Sequence, residues 1–194
     1  MFIVFEGIDG SGKTTVSKLV AESLQKKNIN VKWHREPTES DSGKQIREFL
    51  SGNIQLSRLE QLNLFIKDRK ESVSKTIKPS LAAGTTIIQD RYYFSTAAYQ
   101  GENAEDAEEI LERNLSENFP TPDIVYFLDI TPEEAKDRRA SRGGKKEAFD
   151  DEENQERIYG NYLSVLPEEA IFIDATQNLE TILSFCLEDI YTRM

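Results

Sequence analysis

Phe2-Ile3-Val4-Phe5-Glu6-Gly7-Ile8-Asp9-Gly10-Ser11-Gly12-Lys13-Thr14-Thr15 is the stretch that decides the fold. An apolar run ends at Gly7, and residues 7–14 match G-x-x-x-x-G-K-[ST] in full. Val16, Leu19, Val20 and Leu24 then fall on one helical stripe. Strand, glycine-rich turn and amphipathic helix, in that order, are what a phosphate-binding loop needs. Glycines let the backbone wrap close to phosphate oxygens, and amides at the helix start aim donors at the anion. A nucleoside triphosphate is therefore assigned to Gly7, Ile8, Asp9, Gly10, Ser11, Gly12, Lys13, Thr14 and Thr15. Lys13 would reach the β- and γ-phosphates, and the Thr14 hydroxyl would ligate Mg²⁺.

Outward from the loop, Phe2–Glu6, Ile29–Arg35, Thr85–Asp90, Ile124–Ile130 and Ala170–Asp174 read as strands, each short and apolar. Continuous apolar runs of this kind suggest strands covered on both faces of a parallel sheet. Leu62, Phe65, Ile66, Val73 and Ile77 form another helical stripe. Strand–helix alternation over the chain argues for a doubly wound α/β domain. The acidic stretch Glu102–Glu117 reads as a solvated helix. A length of 194 residues suits a single domain, 1–194.

Composition narrows the partners. Lys plus Arg number 24 against 35 Asp plus Glu, a net charge of −11 that disfavours nucleic acid and anionic membrane surfaces. The longest apolar runs fall far short of the roughly 20 residues a span requires. Cys186 is the only cysteine, which excludes an internal disulfide and fits a reducing, cytoplasmic setting. With His34 the only histidine, a structural zinc site lacks ligands. Met1–Glu6 has no basic run and only four consecutive apolar residues, so no secretory leader is read there.

A phosphate loop alone does not choose among switch GTPases, motor ATPases and small-molecule kinases. No Asn-Lys-x-Asp run is present to read guanine. Asp90-Arg91-Tyr92 closes a strand with an acid able to hold a water on Mg²⁺ and an arginine able to grip a second anion beside the first. Arg69 lies four residues after Phe65 on the inward face of its helix, where a guanidinium must meet an anion. That anion is either an internal Asp or Glu or a substrate phosphate. Phe65, one turn earlier, is a core residue or a platform for a base. The run Lys136–Lys146 holds six basic residues and one acid, with Gly143-Gly144 inside it. It reads as an arginine-bearing, mobile lid at about residues 136–150 that brings cations to the transferring group.

Together these stretches resemble the thymidylate kinase family over nearly the whole chain. The marks are Phe5–Thr15, Arg35-Glu36-Pro37, Phe65 with Arg69, and Asp90-Arg91-Tyr92-Tyr93-Phe94-Ser95-Thr96-Ala97-Ala98-Tyr99-Gln100-Gly101. The resemblance implies a P-loop NTPase-type three-layer αβα fold, with a five-stranded parallel sheet in the order 2-3-1-4-5. It implies phosphorylation of dTMP to dTDP by ATP and Mg²⁺, in dTTP synthesis, by a homodimer. Asp9 would engage the acceptor's sugar and phosphate end, and Arg69 and Arg91 its phosphate, with Arg35 and Pro37 close by. Phe65 would stack on thymine, while Ser95, Thr96 and Gln100 would sit near base and sugar. Tyr99 would leave no room for a ribose 2′-OH. Asp90 joins Thr14 at the metal. Thr176, in Ala175-Thr176-Gln177, would pass near adenine.

Some members carry an arginine directly after the loop aspartate, where this chain has Gly10. The resemblance then places the catalytic cation in the lid, Arg142 first, then Arg138 and Arg139. Glu147–Glu153 also departs from the Arg-then-Phe-Glu run expected there. A deoxynucleoside kinase is the alternative enzyme, with Glu6 as the base for a 5′-hydroxyl. A nucleotide-binding module without turnover is the non-enzymatic alternative; it would have lost Lys13, Asp9 or the lid cations, all of which are present.

Overall fold

The computed structural model describes residues 1–141 and 148–194. Its sheet has five parallel strands, β1 (Phe2–Glu6), β2 (Val31–Arg35), β3 (Thr86–Asp90), β4 (Ile124–Asp129) and β5 (Ile171–Asp174), in the order β2-β3-β1-β4-β5. This is the expected order. β1 and β3 are buried along their whole length, including Glu6 at the end of the first and Gln89 and Asp90 at the end of the second. β2 and β5 lie at the sheet edges and are partly exposed, so cover on both faces holds only for the inner strands.

Register sets the place of the site. Phe5 pairs with Asp90, and Arg35 pairs with Asp90 from the other side. The carboxyl ends of β2, β3 and β1 therefore finish level. The chain leaves β1 between β3 and β4, where parallel α/β sheets open a crevice. Helix α1 (Lys13–Lys26) follows the loop and buries Val16, Val20 and Leu24, with Leu19 only half-buried.

After β2 come α2 (Asp41–Leu50) and α3 (Arg58–Ser72). Ser57 and Glu60 close a capping box on α3, which fixes where that helix starts. The stripe expected to run on to Ile77 does so, but through a π-helical turn at Val73–Ile77 that leads into α4 (Lys78–Ala82). Pro79 accounts for the widened turn, because it lacks the N–H that an α-helix would use there and its ring crowds the preceding turn. The remaining helices are α5 (Tyr93–Gln100), α6 (Ala104–Leu115), α7 (Pro132–Ser141), α8 (Glu152–Val165) and α9 (Leu179–Arg193). Helix α6 is the acidic solvated helix, with only Ala107, Ile110 and Asn114 turned inward. No helix among the described residues is long and apolar enough to cross a membrane.

His34 on β2 sits 2.9 Å from the Ser72 hydroxyl. Burial, then the charge on Lys32, lower its pKa to about 4. The unfolded chain takes up a proton near pH 6.5, while the folded chain resists until about pH 4. Stability should therefore fall as pH drops through that window. Denaturant titrations of the protein and of His34→Gln between pH 5 and 7 should converge toward the acid end; parallel curves would contradict this.

Candidate active site

The phosphate loop bends over the end of β1. Gly12 takes φ +95° as the N-cap of α1, and Gly10 takes φ +96°. A Cβ on Gly10 would stand 2.5 Å from the carbonyl oxygen of Ala135. Helix α7 thus packs directly on the loop, leaving no room for the arginine that some relatives of the resemblance carry here. Any additional cation must approach from another direction.

Arg138 and Arg139, both on α7, reach the loop from that helix. Arg139 Nη1 donates to the backbone oxygen of Asp9 at 2.5 Å, and its Nε lies 3.3 Å from Asp150 Oδ1. Arg138 Nη2 donates to Ala175 O at 2.6 Å, and Nη1 reaches Ser11 O at 3.5 Å. It therefore bridges the phosphate loop and the segment holding Thr176, whose own hydroxyl turns back to Asp174 at 2.6 Å. Arg142 lies outside the described residues. Gln155, which sequence reasoning missed, is fully buried; it accepts from Arg139 and donates to Phe149 O at 2.7 Å. Nothing local marks it, since its role depends on two segments meeting.

Beside the loop lies a cleft of about 310 Å³. Asp9, Arg35, Pro37, Phe65, Arg69, Arg91, Ser95, Thr96, Tyr99 and Gln100 all line it, so every expected acceptor-side residue converges on one cavity. Lys13, Thr14 and Asp90 line it too, which joins it to the phosphate loop. Ile8 and Thr15 contribute main chain only, the first with its side chain in the core and the second exposed at the start of α1. Arg47, Leu50 and Phe149 also line the wall and were not foreseen. Arg47 is held by Thr38 O at 2.7 Å, and Phe149 packs against Phe49 and Tyr99 with ring centroids 6.0 and 5.6 Å away.

The charges divide into two groups. Near the loop, Asp9 is bound by Arg91 Nη2, by the Tyr99 hydroxyl at 2.8 Å and by Lys13 Nζ at 3.5 Å. Burial would raise Asp9, but Arg91 and Lys13 outweigh it and hold the carboxyl well below the usual carboxylate range. Asp90 and Glu6 also face Lys13, so the two cations stand among several carboxyl groups rather than beside one. Lys13 itself is lowered to about 8, by burial first and then by Arg91.

Arg69, deeper in the cleft, is nearly inaccessible and bonds Glu36 Oε2 at 2.8–2.9 Å, Asn114 Oδ1 at 2.7 Å and Thr96 Oγ1 at 3.0 Å. Its anionic partner is therefore internal, the first of the two options left open by the sequence. With its charge matched by Glu36, Arg69 offers donors without net charge, which suits a neutral base carbonyl better than a phosphate. Phe65 stands half-buried on the same helix at the cleft wall. Gln100 Nε2 and Glu36 Oε1 are buried at this end without a hydrogen-bond partner among the described residues.

Arg91 occupies the left-handed region at φ +64°, a conformation that costs a non-glycine residue roughly 1–3 kcal/mol. Its N–H donates to Phe5 O at 3.0 Å and its carbonyl accepts from Gln89 Nε2 at 2.7 Å, so sheet and side chain together hold it there. Thr14 Oγ1 donates to Asp90 Oδ2 at 2.6 Å, while Asp90 Oδ1 is buried without a partner among the described residues. A hydroxyl and a carboxylate are hard donors that fit Mg²⁺. Among the described residues no group of three acidic, histidine or cysteine side chains gathers to bind a metal unaided. An ion here would draw further ligands from phosphate and water.

A phosphate loop opening into an adjoining arginine-lined cleft defines a P-loop nucleotide-binding protein. A model of the thymidylate kinase family matches residues 5–185. The thymidylate kinase of Leptospira borgpetersenii serovar Hardjo-bovis (strain L550) is 43% identical over 188 residues, covering 97% of this chain and 92% of that protein. The thymidylate kinase of Desulfotalea psychrophila is 39% identical over 181 residues, 93% of this chain and 89% of that protein. A probable thymidylate kinase of Archaeoglobus fulgidus is 38% identical over 182 residues, 94% and 90% of the two chains. The chain belongs to the thymidylate kinase family.

Proposed function

We propose that the chain phosphorylates dTMP to dTDP with ATP and Mg²⁺. The observation that carries this reading is the single cleft in which Lys13 and Thr14 of the loop face Arg91 and the Phe65–Arg69 wall. A phosphate oxygen of dTMP attacks the γ-phosphorus of ATP, and the bond to the β-phosphate bridging oxygen breaks, releasing ADP. No general base is required, because the acceptor phosphate is already ionised at neutral pH. The protein's work is positioning and charge neutralisation.

In this reading Lys13 and the loop amides hold the donor phosphates, and Arg91, steadied by Asp9, directs the acceptor phosphate at them. Arg35 at the mouth adds positive potential. Phe65 stacks on the base and Arg69 donates to it, with Thr96 and Gln100 beside them. Tyr99, packed over Asp9, closes the sugar site. Thr14 and Asp90 would hold Mg²⁺, which supplies charge neutralisation across the phosphates. Arg138 and Arg139 cover the donor from α7, the described flank of the 136–150 lid. The deoxynucleoside kinase alternative needs Glu6 as a base facing the acceptor. Glu6 is fully buried and bonded to Tyr92, Ser95 and Tyr162, which favours the monophosphate acceptor. A homodimer belongs to the same reading; large apolar side chains such as Leu59 and Leu115 stand exposed for it, and sedimentation measures it.

Initial rates with ATP and Mg²⁺ over the nucleoside monophosphates and thymidine test the assignment. dTMP should be the preferred acceptor, and preference for thymidine would reverse it. Phe65→Ala should raise the KM for dTMP roughly 10- to 100-fold, the worth of one stacked base, with a smaller change in kcat. An unchanged KM would return Phe65 to the core.

A further inference from the structure

Glu6 and Tyr162 are buried polar side chains with no part in the chemistry above, yet both are joined to Arg91. Glu6 Oε1 accepts from the backbone N–H groups of Tyr92 at 2.8 Å and Ser95 at 3.3 Å, so the end of β1 caps the first turn of α5. Glu6 Oε2 accepts from the Ser95 hydroxyl at 2.5 Å and the Tyr162 hydroxyl at 3.0 Å. Those hydroxyls stand 2.8 Å apart. Arg91 Nη1 donates to the same oxygens, at 3.0 Å to Ser95 and 3.3 Å to Tyr162.

Each hydroxyl has one proton. Burial raises the Glu6 pKa, and in its carboxylate form Glu6 only accepts, so whichever hydroxyl donates to the other, the chain of protons ends on Oε2. Both oxygens therefore keep a lone pair for Arg91. A proton donor in place of Oε2 would reverse the chain and turn a hydroxyl proton toward the guanidinium. Tyr162 comes from α8, so the device ties the helix that follows the lid to the strained residue at the end of β3. Its ring is fixed by Phe127 and Tyr99, with centroids 5.2 and 6.3 Å away.

We propose that Glu6 and Tyr162 are positioning residues that act through Arg91, aligning its guanidinium on the acceptor phosphate by committing the Ser95 and Tyr162 hydroxyls as acceptors. The inference rests on the dTMP kinase reading and deepens it.

Tyr162→Phe and Glu6→Gln, each made in the parent and in Arg91→Ala, test it. Rates are read with enzyme at micromolar concentration, together with the KM for ATP and the Tm. In the parent, Tyr162→Phe should lower kcat at least fivefold with the KM for ATP within twofold and the Tm nearly unchanged. Glu6→Gln should lower kcat further. In the Arg91→Ala background neither should change kcat by more than twofold, because the residue they act through is gone. Equal losses in both backgrounds, or parent-like turnover in both single variants, would overturn the inference. Should Glu6→Gln not fold, Tyr162→Phe alone decides, since it removes one oxygen from a packed ring. A parent that leaves dTMP unphosphorylated refutes the underlying reading instead.

Discussion

Arg91→Ala should lower kcat about a thousandfold or more while leaving the affinity for ATP within a fewfold of the parent. A single arginine that meets the charge of a transferring phosphoryl group contributes 10³–10⁵ in rate in related chemistry. The geometry makes Arg91 such a group. It lies beside the loop, its Nη2 atom donates to the Tyr99 hydroxyl at 3.0 Å, and its guanidinium carbon stands 4.8 Å from the Tyr99 ring centroid. Removing it leaves Asp9 facing the acceptor phosphate with only Lys13 to offset it, which turns a favourable site into a repulsive one. Donor binding is spared because the loop amides and Lys13 remain. Rapid-quench or coupled initial rates, with ATP affinity from a fluorescent analogue, separate the two quantities. Parent-like turnover would remove Arg91 from the mechanism.

Lys13→Ala should reduce turnover by a similar factor, on the order of 10³, but with a different signature. Its ammonium is buried, bonded to Ile8 O at 3.3 Å, and faces both Asp9 and the cleft. It is the loop's only side-chain cation, so its loss should weaken ATP binding as well as turnover. The pair of variants thus distinguishes donor from acceptor side. If Lys13→Ala spared ATP affinity, or Arg91→Ala abolished it, the assignment of the two anion sites would have to be exchanged.

Much of this was legible along the chain because its causes are local. A phosphate loop is a short-range pattern, with glycines at fixed offsets, a strand before and a helix after, and the structure places it where that pattern requires. Strand positions were readable because each strand carries a short apolar run, though Ile29, Thr85 and Ala170 fall outside the strands they were expected to open. Sequence spacing put Arg69 on the inward face. It could not choose between an internal acid and a phosphate, because Glu36 meets Arg69 only when β2 and α3 pack together. Gln155 and Tyr162 were hidden for the same reason, since each is an unremarkable polar residue until distant segments enclose it, and Glu6 was visible only as a candidate base. Asp68 is a further case: its buried carboxylate gathers the hydroxyls of Thr38, Ser40 and Ser42, at 2.6, 2.8 and 3.0 Å, and so seats the start of α2 beside the cleft. Gly10 was visible as a departure from the family pattern, but its reason, the backbone of Ala135 against it, is a fact of tertiary packing.

The most direct test is a crystal structure with dTMP and a non-hydrolysable ATP analogue bound together. The phosphate of dTMP should lie against Arg91 and point at the terminal phosphate cradled by Lys13, with thymine over Phe65 and within reach of Arg69. A nucleotide bound away from Phe65 and Arg91, or two phosphate ends held apart on opposite faces of the sheet, would contradict the account.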